Sequence, residues 1–187
     1  MNQKPRLGID IDGTVTCPKT FVPYLQRDFN QQLKYEDITE YNLANVLNCK
    51  EEEMLSWFKN NESHIYQHSP VAEGAKDILT QLKDDYELYY ISARHHYLED
   101  ITKEWFQSHH IPFDQITLTG SHNKLEVTKE QNIDIFFEDK LDNAEDINHY
   151  LNIPVFLFDT PYNQKDLQNG IYRIKNWHEV STLLNRI

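Results

Sequence analysis

The chain alternates between short apolar runs and segments whose apolar residues have helical spacing. Short continuous apolar runs are typical of strands that are covered on both faces, and they are predicted here as buried β-strands. The predicted strands are residues 7–11, 87–92, 116–118, 133–137 and 155–158. The predicted helices are residues 75–83, 98–108, 124–130, 143–151 and 177–184. Strands that alternate with helices of this length favour a Rossmann-like α/β fold, a parallel sheet with helices on both faces.

One long interval interrupts this alternation. About 60 residues separate the first predicted strand from the first predicted helix, and a structureless loop of that length is improbable inside a compact domain. The interval carries apolar and aromatic residues at helix-like spacing, and Pro70 and Gly74 mark the return to the alternating pattern. We therefore predict a small helical insertion at 17–69, with residues 1–16 and 70–187 forming one α/β core.

Composition narrows the class of function. The 187 residues carry a formal net charge of −12, which argues against a protein that binds nucleic-acid polymers or anionic membranes. A small phosphorylated substrate stays possible, because a bound cation can invert the local field. No segment approaches the roughly 20 apolar residues of a membrane-spanning helix, and no apolar run near the start suggests a signal peptide. The expected location is the cytoplasm.

The strongest candidate chemistry follows the first strand, in the sequence Asp10-Ile11-Asp12-Gly13-Thr14. Side chains two residues apart on a strand point the same way, so Asp10 and Asp12 can project together from the carboxyl end of the sheet, where ligands of open α/β sheets bind. Such a pair suits a hard cation, a carboxylate nucleophile toward phosphorus and a second carboxylate as acid and base. Gly13 permits a sharp turn and a close approach of backbone N–H groups to an oxyanion. An ordinary turn is the alternative interpretation.

This segment resembles motif I of the haloacid dehalogenase superfamily of phosphotransferases. The resemblance implies that Asp10 is the nucleophile and that Asp12 is the general acid and base. It also implies that Mg²⁺ is held by the side chain of Asp10 and by the backbone carbonyl of Asp12.

The resemblance predicts three further positions. Ser92, after the second strand, matches the motif II hydroxyl, and nearby Arg94 either binds phosphate or forms a salt bridge directed outward. Lys124, at the start of a later helix, matches the family's charge-neutralising lysine, with Lys129 as the rival. Ser92 and Lys124 are expected to hold the phosphoryl oxygens.

The fourth position is acidic and follows the strand at 133–137. Asp139 is the preferred direct ligand of the cation, and Glu138 is expected to lie nearby or to act through water. Asp142 and Asn143 follow one turn later, either as partners of the cation ligands or as the start of a helix.

The insertion resembles the small helical cap of the C1 type, and the overall plan resembles the 5′-nucleotidase type C family, which includes 5′(3′)-deoxyribonucleotidases. A nucleotide base would require an aromatic platform, for which Phe21, Tyr24, Trp57 and Phe58 are candidates unless they form the insertion's own core. Pairs of histidines such as His64 and His68 lack a companion metal-binding pattern and are expected to be solvated or capping.

These observations predict a Mg²⁺-dependent phosphatase of small phosphate monoesters that acts through an aspartyl-phosphate, with a nucleotide as the expected substrate. A phosphatase of sugar phosphates on the same core is the alternative enzyme. A phosphate-binding sensor or scaffold without turnover is the alternative from another class, and the presence of both Asp10 and Asp12 argues against it.

Overall fold

The computed structural model describes residues 3–121 and 123–184. His122 and the ends of the predicted core, residues 1, 2 and 185–187, fall outside the described residues. The described chain contains a parallel six-stranded sheet in the order β3-β2-β1-β4-β5-β6. The strands are β1 (Arg6–Ile9), β2 (Glu87–Ser92), β3 (Gln115–Leu118), β4 (Ile135–Glu138), β5 (Val155–Phe158) and β6 (Ile171–Ile174).

Helices cover both faces of the sheet. They are α1 (Val22–Asp28), α2 (Leu43–Leu47), α3 (Glu51–Gln67), α4 (Ala75–Leu82), α5 (Glu99–Ser108), α6 (Leu125–Glu130), α7 (Leu141–Leu151) and α8 (Val180–Leu184). Because neighbouring strand residues point to opposite faces, Phe136 packs into the cluster that contains α7, and Phe137 packs into the cluster that contains α4 and α5. The predicted α/β class with helices on both faces is confirmed.

The sheet brings the end of β1 beside the end of β4. These strands pair in parallel from Leu7 and Ile135 to Ile9 and Phe137. Asp10 is the first residue beyond β1, and its N–H still donates to the Phe137 carbonyl at 2.9 Å. The acidic residues that follow each strand therefore lie at one edge of the sheet.

The loop after β1 is fixed from two sides. Its own backbone closes on Ile11, whose carbonyl accepts the N–H groups of Val15 and Thr16 at 2.9 Å each. From the other end of the chain, the buried indole N–H of Trp177 donates to the Thr14 carbonyl at 2.9 Å. These bonds hold the Asp10–Asp12 segment in one position relative to the sheet.

The segment predicted as a helical insertion contains α1, α2 and α3. Its buried apolar residues form a cluster that is distinct from the two clusters beside the sheet. This cluster comprises Leu25, Leu33, Ile38, Ala44, Leu47, Met54, Trp57 and Ile65. The chain enters and leaves the segment side by side, since the Cys17 N–H donates to the Pro70 carbonyl and the Ala72 N–H to the Val15 carbonyl, both at 2.8 Å.

Some boundaries differ from those predicted. β1 ends at Ile9 rather than at residue 11, because the chain turns after Asp10, where the Ile11 carbonyl accepts N–H groups of its own loop instead of pairing with a strand. α7 begins at Leu141, two residues before the predicted start. β6 was not predicted, since it has four residues and its Tyr172 is exposed at the edge of the sheet. Among the described residues, no helix is long and apolar enough to span a membrane.

We expect that Gly8→Ala destabilises the fold. A Cβ at this position would lie 2.5 Å from a ring carbon of Phe136 and 2.8 Å from the Ile133 Cγ2, in the middle of the sheet. Overpacking of this kind lowers the free energy of unfolding by about 1–3 kcal/mol. Urea denaturation followed by circular dichroism measures the loss.

The companion measurement is the double variant Gly8→Ala/Phe136→Leu. If the ring contact is the cause, the double variant loses less stability than the sum of the two single variants, because the smaller side chain makes room for the new Cβ. Additive losses would contradict this explanation.

Candidate active site

A cavity of about 550 Å³ opens at the carboxyl ends of β1, β2 and β4 and extends beneath the inserted segment. Its floor contains every residue predicted for the site. These are Asp10, Asp12, Gly13, Ser92, Arg94, Lys124, Glu138 and Asp139. The predicted site residues are therefore brought together by the fold. Lys129, the rival of Lys124, is exposed on α6 and does not line the cavity.

Lys124 connects the ends of β1 and β4. Its buried ammonium group donates to Asp10 Oδ1 and, at 2.9 Å, to Glu138 Oε1. Burial lowers the pKa of Lys124, but the charges of Asp10 and Glu138 outweigh burial and raise it above its ordinary value. Lys124 is therefore a fixed positive charge beside the candidate nucleophile.

Burial and several charged neighbours act in opposite directions on the pKa of Asp10. Burial is the main cause that raises the pKa of Asp10; the charge of Lys124 opposes the rise, the charges of Glu138 and Asp12 add to it, and the resulting pKa is about 7. Asp10 is only 5% exposed, so solvent contributes little to stabilising its charge. A further positive charge at this point would favour the carboxylate form.

Glu138 and Asp139 have different surroundings. Glu138 is completely buried and accepts hydrogen bonds from Lys124, from Asn143 at 2.6 Å and from the Asp139 N–H at 2.8 Å. Burial raises the pKa of Glu138, but Lys124 and these hydrogen bonds bring it below its ordinary value. Burial and the charges of Glu138 and Asp10 raise the pKa of Asp139 well above its ordinary value.

Side chains that the sequence did not identify hold Asp139 in place. The Tyr162 hydroxyl donates to Asp139 Oδ2, and the Asn163 amide donates to the Asp139 backbone carbonyl at 2.7 Å. Both residues lie in the loop after β5, and no motif in that loop pointed to them. Of the two residues proposed as partners, Asn143 contacts Glu138, whereas Asp142 is exposed at the start of α7.

The carboxylates fit a hard divalent cation. One oxygen each of Asp10, Glu138 and Asp139 lies within 4.8 Å of the others, and all three residues are buried. With all three ionised, their negative charge would exceed the positive charge of the Lys124 ammonium, which donates to two of them. An all-oxygen donor set of this charge is the kind that Mg²⁺ prefers.

Asp12 has a separate positive partner. Arg94 donates from Nε to Asp12 Oδ2 at 2.9 Å and from Nη2 to Asp12 Oδ1 at 2.7 Å. Its third nitrogen donates to Thr102, and the guanidinium lies 4.0 Å from the centre of the Tyr66 ring. Of the two roles considered for Arg94, the structure contains a salt bridge, and the bridge points inward to Asp12 rather than outward.

Ser92 and Gly13 shape the floor of the cavity. Ser92 is buried at the end of β2, and its Oγ accepts the Arg94 N–H at 3.3 Å, so its own proton can be donated into the cavity. Gly13 has φ +82°, and a Cβ there would lie 2.6 Å from Asp139 Oδ2. Only glycine satisfies both the backbone conformation and the approach to Asp139.

The inserted segment forms the upper wall of the cavity. Of the four candidate aromatic residues, Phe21 and Phe58 line the cavity. Trp57 instead donates to Asp28 at 2.8 Å, and Tyr24 packs edge-on against His64, both outside the cavity lining. Tyr41 and Glu62 also line the cavity, although the sequence analysis did not identify them.

The sequence and the fold are similar to those of known proteins. The chain shares 47% identity with "Putative nucleotidase YqfW" of Bacillus subtilis, over 96% of this chain and 93% of that protein. It shares 45% identity with "Putative nucleotidase BH1399" of Halalkalibacterium halodurans, over 96% and 92% of the two chains. The solved structure of the haloacid dehalogenase-like hydrolase SP0104 from Streptococcus pneumoniae superposes with a TM-score of 0.68, at 15% identity, over 98% of this chain and 100% of that chain.

A family model described as "5' nucleotidase, deoxy (Pyrimidine), cytosolic type C protein" matches residues 4–187, nearly the whole chain. The relatives cover the same extent, and the structural likeness supports the same fold. The chain therefore belongs to the type C 5′-nucleotidase family and is a phosphoric monoester hydrolase.

Proposed function

We propose that the protein is a Mg²⁺-dependent nucleotidase that releases phosphate from nucleoside or deoxynucleoside monophosphates through an aspartyl-phosphate on Asp10. The observation that carries the proposal is the placement of Asp10 at the floor of the cavity, with one carboxylate oxygen held by Lys124. The other oxygen is available to attack phosphorus. Family membership supports a nucleotide as the substrate, and the family's description as cytosolic supports a cytoplasmic location.

The proposed reaction has two steps. An Asp10 oxygen forms a bond to phosphorus, the bond from phosphorus to the ester oxygen breaks, and Asp12 gives that oxygen a proton, which releases the alcohol. Asp12 then takes a proton from a water molecule, whose oxygen attacks phosphorus and displaces the Asp10 carboxylate. Arg94 fixes the direction of the Asp12 carboxyl through its two hydrogen bonds, and Ser92 and Lys124 bind the phosphoryl oxygens.

We assign the cation to Asp10 and Asp139, together with the backbone carbonyl of Asp12 that the family resemblance implies. Glu138 already accepts hydrogen bonds from Lys124, Asn143 and backbone N–H groups. We therefore place it outside the direct ligands of the cation, where it contributes negative charge to the site. When bound, Mg²⁺ supplies positive charge that neutralises the phosphoryl oxygens. Tyr162 and Asn163 then keep the Asp139 carboxylate in the orientation required for binding.

We assign residues 17–69 the role of a C1-type cap over this site. The segment places Phe21, Met54 and Phe58 along the cavity wall that faces the catalytic floor. An apolar wall of this kind suits the leaving group of a nucleotide better than that of a small, fully hydroxylated sugar. It also excludes water from the phosphoryl group.

Asp10→Asn is expected to lower the rate of phosphate release by at least about 10³-fold, because the amide is a poor nucleophile. Phosphate release from a nucleoside monophosphate with and without Mg²⁺ measures the effect. Asp142→Asn is the matched control, since Asp142 is an exposed acid near the site and outside the catalytic set. Substantial turnover by Asp10→Asn would contradict the covalent mechanism.

Tyr162→Phe is expected to weaken Mg²⁺ binding by about 10-fold or more, because residues that orient metal ligands typically contribute that much. Isothermal titration of the full chain with MgCl₂ in the absence of substrate measures the affinity directly. Tyr172→Phe, on the exposed edge of β6, is the control. Unchanged affinity in Tyr162→Phe would show that Asp139 does not need this partner.

Activity on a panel of phosphate monoesters distinguishes a nucleotidase from a phosphatase of sugar phosphates. We expect kcat/KM to be at least about 10-fold higher for nucleoside monophosphates than for hexose and pentose phosphates, because only the nucleotides carry a base that can contact the apolar wall. Phe58→Ala should reduce this preference. Equal or better hydrolysis of sugar phosphates would favour the alternative substrate class.

A further inference from the structure

The inserted segment contains one buried acidic side chain that the proposed mechanism does not use. Glu62 lies on α3 and is 6% exposed, whereas Glu51, Glu52 and Glu53 on the same helix are exposed. Burying a carboxylate costs free energy unless its oxygens are hydrogen-bonded. A buried glutamate in the wall of a ligand cavity therefore calls for a partner.

The protein supplies a partner for one carboxylate oxygen. The Tyr97 hydroxyl donates to Glu62 Oε1 across the boundary between the inserted segment and the core, and the His95 ring stacks against the Tyr97 ring. Within residues 3–121 and 123–184, this is the one hydrogen bond that the Glu62 side chain accepts. Glu62 lines the cavity, so the remaining acceptor capacity of its carboxylate is available to a ligand there.

Glu62 lies one turn before Tyr66 on α3, and the Tyr66 ring contacts the Arg94 guanidinium that binds Asp12, so Glu62 lies on the Asp12 side of the cavity. Burial raises the pKa of Glu62, the positive charges of His95 and Arg94 oppose the rise, and the charge of Asp12 adds to it. In the proposed mechanism, Asp12 protonates the departing ester oxygen. Glu62 therefore faces the alcohol that leaves, while Asp10 and Lys124 hold the phosphoryl group.

We propose that Glu62 is a specificity-determining residue that accepts a hydrogen bond from a sugar hydroxyl of the leaving alcohol. This inference deepens the proposed function and rests on it. A carboxylate can only accept hydrogen bonds, so it favours a ligand that presents an O–H donor at this point. A substrate without that hydroxyl leaves the buried carboxylate without its second partner, which costs binding free energy in proportion to the lost hydrogen bond.

The test compares thymidine 5′-monophosphate with its 3′-deoxy analogue, two nucleotides that differ by one hydroxyl. We expect the wild-type protein to prefer the hydroxyl-bearing nucleotide in kcat/KM by about 10- to 100-fold, the range expected for one hydrogen bond to a charged group. In Glu62→Leu, which replaces the carboxylate by an apolar side chain, the preference should fall to about 1. Glu53→Gln, on an exposed position of α3, should keep the wild-type preference.

A purely structural role for Glu62 predicts a different result. If the side chain only ties the inserted segment to the core, Tyr97→Phe breaks the same bond and should behave like Glu62→Leu. Recognition of the substrate predicts that Tyr97→Phe retains the preference for the hydroxyl. A preference that survives in Glu62→Leu, or that is lost equally in Tyr97→Phe, overturns the proposal.

Binding measurements separate this proposal from the proposed function. Calorimetric titration of Asp10→Asn with each nucleotide in the presence of Mg²⁺ reports recognition without turnover. We expect the hydroxyl-bearing nucleotide to bind about 10-fold or more tightly, and Glu62→Leu in the same background to remove the difference. If the wild-type protein releases no phosphate from either nucleotide, the proposed function fails, and the binding ratio still decides the role of Glu62.

Discussion

The site depends on the two hydrogen bonds that the Lys124 ammonium group donates to Asp10 and Glu138. The parallel pairing of β1 with β4 brings Asp10 and Glu138 to the same edge of the sheet, where two buried carboxylates would repel each other. Lys124 donates to both and offsets that repulsion. The first turn of α6 fixes Lys124 in turn, since the Thr128 N–H and hydroxyl both donate to the Lys124 carbonyl. The position of Lys124 at the start of α6 therefore allows a buried Asp10 after β1 and a buried Glu138 at the end of β4.

Asp10 and Asp12, the two aspartates of the loop after β1, have different basic partners. Asp10 shares Lys124 with Glu138, whereas Asp12 is held by one edge of the Arg94 guanidinium, through Nε and Nη2. Arg94 is itself immobilised by Thr102 and by the face of Tyr66. Each aspartate is thus paired with a different basic side chain, Lys124 at the start of α6 and Arg94 just after β2. This arrangement lets neighbouring residues of one loop take different roles in a reaction.

The sequence predicted the core because its strands are continuous apolar runs and its site residues follow them at fixed points. Asp10 directly follows an apolar strand, where a local pattern can be recognised, and the family resemblance then pointed to Ser92, Lys124 and Glu138, each at a strand end or a helix start. β6 was missed because a four-residue edge strand with an exposed Tyr172 alternates too briefly to differ from a loop. Tyr162 and Glu62 were missed because their roles arise from contacts with residues 23 and 35 positions away, to which no local pattern points.

The two ends of the inserted segment lie side by side, which makes the segment between them tolerant of change in related proteins. Thr16 and Val71 form a single antiparallel bridge, so the chain enters and leaves the inserted segment at adjacent backbone positions. Whatever lies between these two residues can be lengthened, shortened or replaced while the ends stay in register, because insertions are tolerated where the joined ends are close in space. The three helices of the inserted segment can therefore be exchanged as one block while the ends of β1, β2 and β4 stay unchanged.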